Sequence, residues 1–311
     1  MSKCRILVFG AGVIGCNLAA DMFASGCDVT LLARGEWADC IEQNGLTIKS
    51  AFFPGKKTYR IPVIRELRED DEFDVIFVVM RYSQIDSILG ALKANVSKNI
   101  VFVGNNLSTG KFVEMLPKKN VMFAFYMAAG HREKDRVVSF SMKKITIGQR
   151  NGSPSNEAMI SRVFSGTKMK VVYEPNMEDY LLCHAAFVLP VGFACYFCDG
   201  DLKKVSRDKQ YLNQIIDANI EGYRAIESGG HQILPTSDRD YNGPKYRKLC
   251  YTVYKIMCST KIGKICASDH ALNAVEEMTA LNEELKRFFT ATGASTPVYL
   301  KMEAEAKEHL Q

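Results

Sequence analysis

The chain has 311 residues, 47% of them hydrophobic and 24% charged, which are ordinary values for a globular protein and enough length for two domains with separate cores. Its net charge of +5 is mild and spread along the chain. With no basic tract and no aromatic–basic interleaving, nothing points to a nucleic-acid partner. The chain opens directly as a core strand and not as a secretory signal, so a cytoplasmic location is expected.

Residues 6–9 (ILVF) form an apolar strand that runs into Gly10, Gly12 and Gly15, spaced GxGxxG, and a helix with one apolar face follows over 13–24. This pattern is the dinucleotide-binding fingerprint. Gly10 makes the tight turn, Gly12 lets the backbone approach a pyrophosphate, and Gly15 lets helix and strand pack closely. The phosphates are expected at the helix N-terminus, over Val13 and Ile14, where free N–H groups and the macrodipole favour negative charge.

Strand and helix signals then alternate, as a parallel doubly wound sheet requires. Strands are predicted over 28–33, 75–80, 100–103 and 121–125, and shorter alternating strands over 137–147. A helix is predicted over 157–164 and a last strand over 169–173. Helical periods follow, over 177–198, 211–228, 246–257 and 271–291. The expected fold is therefore α/β, a Rossmann-type sheet domain over 1–175 followed by an all-α substrate or dimerisation domain over 176–311.

The ten cysteines sit mostly among apolar residues and read as reduced thiols packed as small hydrophobes. Cys195 and Cys198 have CxxC spacing but no second pair to complete a zinc site, so core packing is the reading and no metal is expected. The stretch 181–198 is apolar enough to raise a membrane span. His184 and Pro190 interrupt it and no basic cluster flanks it, so a buried helix and no membrane partner are expected.

The second strand ends in Arg34 where an NAD-binding protein usually carries Asp or Glu. An arginine there can pair with the 2′-phosphate of NADP, and NADP(H) is the expected cofactor; a solvated surface arginine is the alternative.

GAGVIG over 10–15, LLAR over 31–34 and NGL over 44–46 together resemble the opening of the ketopantoate reductase family. In that family the third core strand ends in Lys followed by Gln, and Arg81 with Gln84 is similar. The next family strand ends in Gln-Asn-Gly, whose Asn contacts the nicotinamide ribose and substrate; Asn105 of VGNN matches it. The resemblance implies an NADPH-dependent reductase of a small carbonyl or 2-oxo acid, with a homodimer among the expectations. The family's second domain opens on a helix bearing Lys, Asn and Asn-Pro at intervals of four. Anchoring on Pro190 puts Leu181, Ala185 and Leu189 at those positions, so the catalytic Lys is missing.

His184, one turn from Leu181, is either the replacement acid or a core histidine. Register with the family makes Glu277 the candidate substrate-binding carboxylate, with a solvated helix charge as the alternative. His270, two turns earlier on the same face, is a weaker candidate. The rival reading is a non-catalytic NADP(H)-binding sensor or interaction protein on the same fold.

Overall fold

The computed structural model describes residues 4–309. It divides into two compact units, Met1–Glu178 and Asp179–Gln311.

The first unit is built on a ten-stranded sheet. Strands β1 (Arg5–Phe9), β2 (Asp28–Leu32), β3 (Leu46–Ser50), β4 (Lys56–Tyr59), β5 (Val63–Ile64), β6 (Val75–Val78), β7 (Asn99–Val103), β8 (Asn120–Arg132) and β9 (Val137–Gly148) lie in the order β4-β3-β9-β8-β7-β6-β1-β2-β5, and β10 (Lys170–Tyr173) pairs with β9. Pairing is parallel from β5 through β8, while β8 and β9 form an antiparallel hairpin. The central strands are apolar on both faces because helices cover both. Val75 to Val78 are fully buried, as are Ile6, Leu7 and Val8.

Helices α1 (Val13–Ala24), α2 (Gly35–Asn44), α3 (Leu89–Ala94), α4 (Thr109–Met115) and α5 (Glu157–Val163) pack around the sheet. The β8–β9 hairpin runs on past the parallel core and lies along α1. Tyr126 donates to Asp21 Oδ2 at 2.5 Å, and Ser139 to Asn17 Oδ1 at 2.8 Å. One continuous β9 replaces the shorter strands predicted over 137–147, because pairing with β8 on one side and with β3 and β10 on the other carries it through its polar positions.

The second unit is helical: α6 (Met177–Phe197), α7 (Leu202–Arg207), α8 (Lys209–Ser228), α9 (Pro244–Ser259), α10 (Lys261–Gly263), α11 (Asp269–Asn273), α12 (Val275–Thr292) and α13 (Pro297–Glu308), with a π-helical turn over Lys264–Ser268. α6 is the one helix among the described residues long and apolar enough to cross a membrane, yet 72% of its apolar window is buried inside the protein. It packs closely on α8: a Cβ at Gly222 would stand 2.9 Å from the Ala186 methyl. The thiols of Cys195 and Cys198 are buried and unbridged, and Cys198 Sγ hydrogen-bonds back to the Cys195 carbonyl.

The division between units falls three residues beyond the 175/176 boundary expected from sequence. Met177 N–H donates to the Gln149 carbonyl, and Glu178 accepts from Thr109 and Arg150, so the first residues of α6 belong to the sheet unit.

Candidate active site

In the first unit β1 stands between β2 and β6, so the chain leaves β1 first to one side and later to the other. The carboxyl edge at such a switch point is where open α/β sheets bind ligands. Four of the predicted features sit there: the glycine loop after β1, Arg34 after β2, Arg81 beyond β6, and Asn105 after β7.

The three glycines have separate reasons. Gly10 has φ +121°, and a Cβ on it would lie 2.3 Å from the Val79 carbonyl oxygen. At Gly15 a Cβ would sit 1.9 Å from the Gly10 carbonyl, so the helix could not approach the turn. At Gly12 a Cβ would meet nothing within 4 Å. Gly10 and Gly15 are demanded by packing inside the protein. Gly12 is demanded by nothing inside it and borders open space.

Gly12 caps α1 with no side-chain hydrogen bond, and no acidic residue stands in the first turn. The free N–H groups of Val13 and Ile14 are thus available to an anion. Arg34 is exposed and caps α2, again without a side-chain cap, and Glu36 follows in that helix's first turn. Arg81 is exposed at the start of a 3₁₀ turn over Tyr82–Ile88. Gly104, at φ +130°, turns the chain so that Asn105 follows directly. The Asn105 side-chain oxygen is buried and has no hydrogen-bond partner within the protein. Leaving such an oxygen unpaired costs roughly 1–3 kcal/mol, a cost that a ligand donor would remove. The open space at Gly12, the uncapped helix and this oxygen fit a dinucleotide.

In the second unit Leu181, Ala185 and Leu189 are 1%, 0% and 0% exposed. The partly open face of α6 carries Tyr180, His184, Phe187 and Val188 instead. The Pro190 anchor therefore points to a buried face, and the open one lies a residue earlier. Tyr180 and His184 stack with their planes 3° apart and centroids 6.4 Å apart. Burial, with the His270 charge second, holds the His184 pKa down at about 4.

That value bears on the expected acid role. A donor at pH 7 with a pKa near 4 is protonated in about one molecule in a thousand. His184 is a neutral imidazole that can donate an N–H hydrogen bond.

His270 and Glu277 are not on one continuous helix, as placing them two turns apart on the same face implied. Ala274, at φ −132° and ψ 35°, ends α11 and starts α12. His270 acts electrostatically on His184, and Glu277 on Tyr196, whose hydroxyl donates to the Ala271 carbonyl. Tyr180 was not singled out from sequence. The i, i+4 step to His184 was the available signal.

Residues 6–152 match the family model "Ketopantoate reductase PanE/ApbA". Residues 6–152 form a ketopantoate reductase family domain. Among curated proteins none matches the sequence. Solved structures share the fold over nearly the whole chain. A 2-dehydropantoate 2-reductase from Geobacter metallireducens GS-15 is similar with a TM-score of 0.79 at 15% identity, covering 98% of this chain and 99% of its own. D-mandelate dehydrogenase with NADH and anilino(oxo)acetate gives 0.77 at 14% identity, covering 98% and 97%. A ketopantoate reductase from Staphylococcus aureus, described as dimeric, gives 0.69 at 14% identity, covering 98% and 99%. In the ketopantoate reductase domain of this chain the glycine loop, Arg34, Arg81 and Asn105 all fall inside the matched segment.

Proposed function

We propose that this protein is an NADPH-dependent reductase of small 2-oxo acids or ketones. The observation that carries the reading is the buried, unpartnered oxygen of Asn105 at the same sheet edge as the open Gly12. The backbone of Gly12, Val13 and Ile14 would hold the pyrophosphate, Arg34 the 2′-phosphate, and Arg81 and Asn105 the nicotinamide end. When bound, the cofactor supplies a hydride to the carbonyl carbon. Asn105 would orient the reacting groups, with Glu277 as the substrate-positioning carboxylate. Neutral His184 would donate a hydrogen bond to the developing alkoxide, and the proton would come from water.

This differs from true ketopantoate reductase chemistry, because no lysine stands on the described face of α6. A second reading, a non-catalytic NADP(H) sensor, draws support from the apolar, buried Leu181, Ala185 and Leu189. Loss of NADPH absorbance across a panel of 2-oxo acids, ketones and aldehydes separates the two. Turnover with any member supports the reductase; tight NADPH binding with no turnover supports the sensor. A homodimer is proposed after the description of the S. aureus enzyme.

A further inference from the structure

The residues of β8 climb α1 from its C-terminal to its N-terminal half, through the Tyr126–Asp21 bond and the adjoining Ser139–Asn17 bond of β9. Arg132, the last residue of β8, consequently arrives at the first turns of α1, where its charge acts on Cys16. Its guanidinium carbon stands 5.3 Å from the centre of the Trp37 ring.

Trp37 links two parts of the dinucleotide site. It lies in the first turn of α2, three residues after Arg34, and is 8% exposed. Its Nε1–H donates to the carbonyl of Ala11, inside the glycine loop, at 3.0 Å. The indole is therefore fixed at one edge, and the arginine is laid over it by cation–π attraction, worth about 0.5–1 kcal/mol at exposed sites. Arg132 is exposed and makes no ion pair among the described residues, whereas its neighbours His131 and Arg136 both pair with Glu133. A guanidinium held over an indole keeps its fork of N–H donors in one place.

We infer that Arg132 is a second phosphate-binding arginine of the dinucleotide site, positioned by Trp37 to grip a phosphate of the bound cofactor. This rests on the dinucleotide reading above. The phosphate is either the pyrophosphate common to NADH and NADPH or the 2′-phosphate of NADPH alone.

The test is calorimetric titration of the full chain with NADPH and with NADH, for the unmutated protein, Arg132→Gln and Arg132→Lys. Arg132→Gln should weaken NADPH binding about tenfold or more, as expected for lost charge-assisted bonds, with an unchanged melting temperature in the absence of cofactor. Arg132→Lys should recover only part, because a point charge replaces the planar fork. Equal weakening for both cofactors assigns the pyrophosphate, weakening for NADPH alone assigns the 2′-phosphate, and either supports the inference. Unchanged affinity for both cofactors in Arg132→Gln overturns it while leaving the dinucleotide reading intact. An unmutated protein that binds neither cofactor overturns both.

Discussion

Gly12 and Gly15 stand three residues apart in one motif, yet substitution should damage two different properties. In Gly15→Ala the new methyl would lie 1.9 Å from the Gly10 carbonyl oxygen and 3.1 Å from its carbon. Backbone cannot yield there as a flexible side chain would, so the cost should reach the upper end of overpacking, about 3 kcal/mol or more. For a unit of this size each 1 kcal/mol lowers the melting temperature by about 2–4 °C, so Gly15→Ala should melt roughly 6–12 °C lower. At Gly12 an added Cβ meets no atom within 4 Å, and the backbone, at φ −76° and ψ −174°, suits a β-branched residue such as the valine of Gly12→Val. Its melting temperature without cofactor should stay within about 4 °C of the unmutated protein.

The binding outcome reverses. The valine fills the space open for a pyrophosphate, so the thermal stabilisation by NADPH should vanish. At a hundred times the dissociation constant that stabilisation is about 2.7 kcal/mol, which is readily measured. Thermal melts with and without NADPH, on both variants, make the comparison. A folded Gly12→Val protein that keeps the full NADPH shift would refute the reasoning and place the cofactor elsewhere.

Arg34→Ala should remove most of a preference for NADPH over NADH, on the order of 1.5–3 kcal/mol, in paired calorimetric titrations; equal affinities in the unmutated protein would count against the 2′-phosphate role. His184 makes a pH prediction whose sign follows from its depressed pKa. The unfolded chain takes up the proton below about pH 6.5 and the folded chain only near 4, so stability is lost as pH falls through that window, by at most about 3 kcal/mol. His184→Asn should flatten that loss in melts taken from pH 7 to pH 4.5, and an unchanged slope would mean another group carries it. Ketopantoate turnover should be slow, since lysine-type acid catalysis worth roughly 10²–10⁴-fold is missing, and a turnover typical of efficient dehydrogenases would show that another acid replaces it. Light scattering at graded concentrations should give a dimer mass; a monomer throughout would end the homodimer proposal.

The glycine loop was legible in the sequence because all its determinants are local: a strand, a turn and a helix within twenty residues. The buried parallel strands were legible too, as unbroken apolar runs. Strands β3 and β4 were not, since LTIKS and KKTY are polar edge segments whose pairing partners lie elsewhere in the chain. Helix α13 was also missed, although Pro297 at its first turn is a helix-start signal. The placement of Arg34, Arg81 and Asn105 at the carboxyl edge of the sheet could be read from their position after a strand. Trp37 and Arg132 could not, because their meeting depends on a hairpin that folds back over α1 from nearly a hundred residues away. The Pro190 register falls on the buried Leu181, Ala185 and Leu189; which face of α6 is open was not legible, because α6 is apolar nearly all round and period alone cannot orient such a helix.

Trp37 is the chain's single tryptophan, whereas tyrosines are spread through both units. Indole emission from this protein therefore has one origin, a ring bonded to the glycine loop and covered by a guanidinium. Spectroscopically, the helical unit is dark in that channel. A change of tryptophan emission on heating or in denaturant dates the unfolding of the sheet unit alone. Because reduced nicotinamide absorbs where indole emits, energy transfer from this one ring would also count cofactor molecules arriving at the loop, with no label attached.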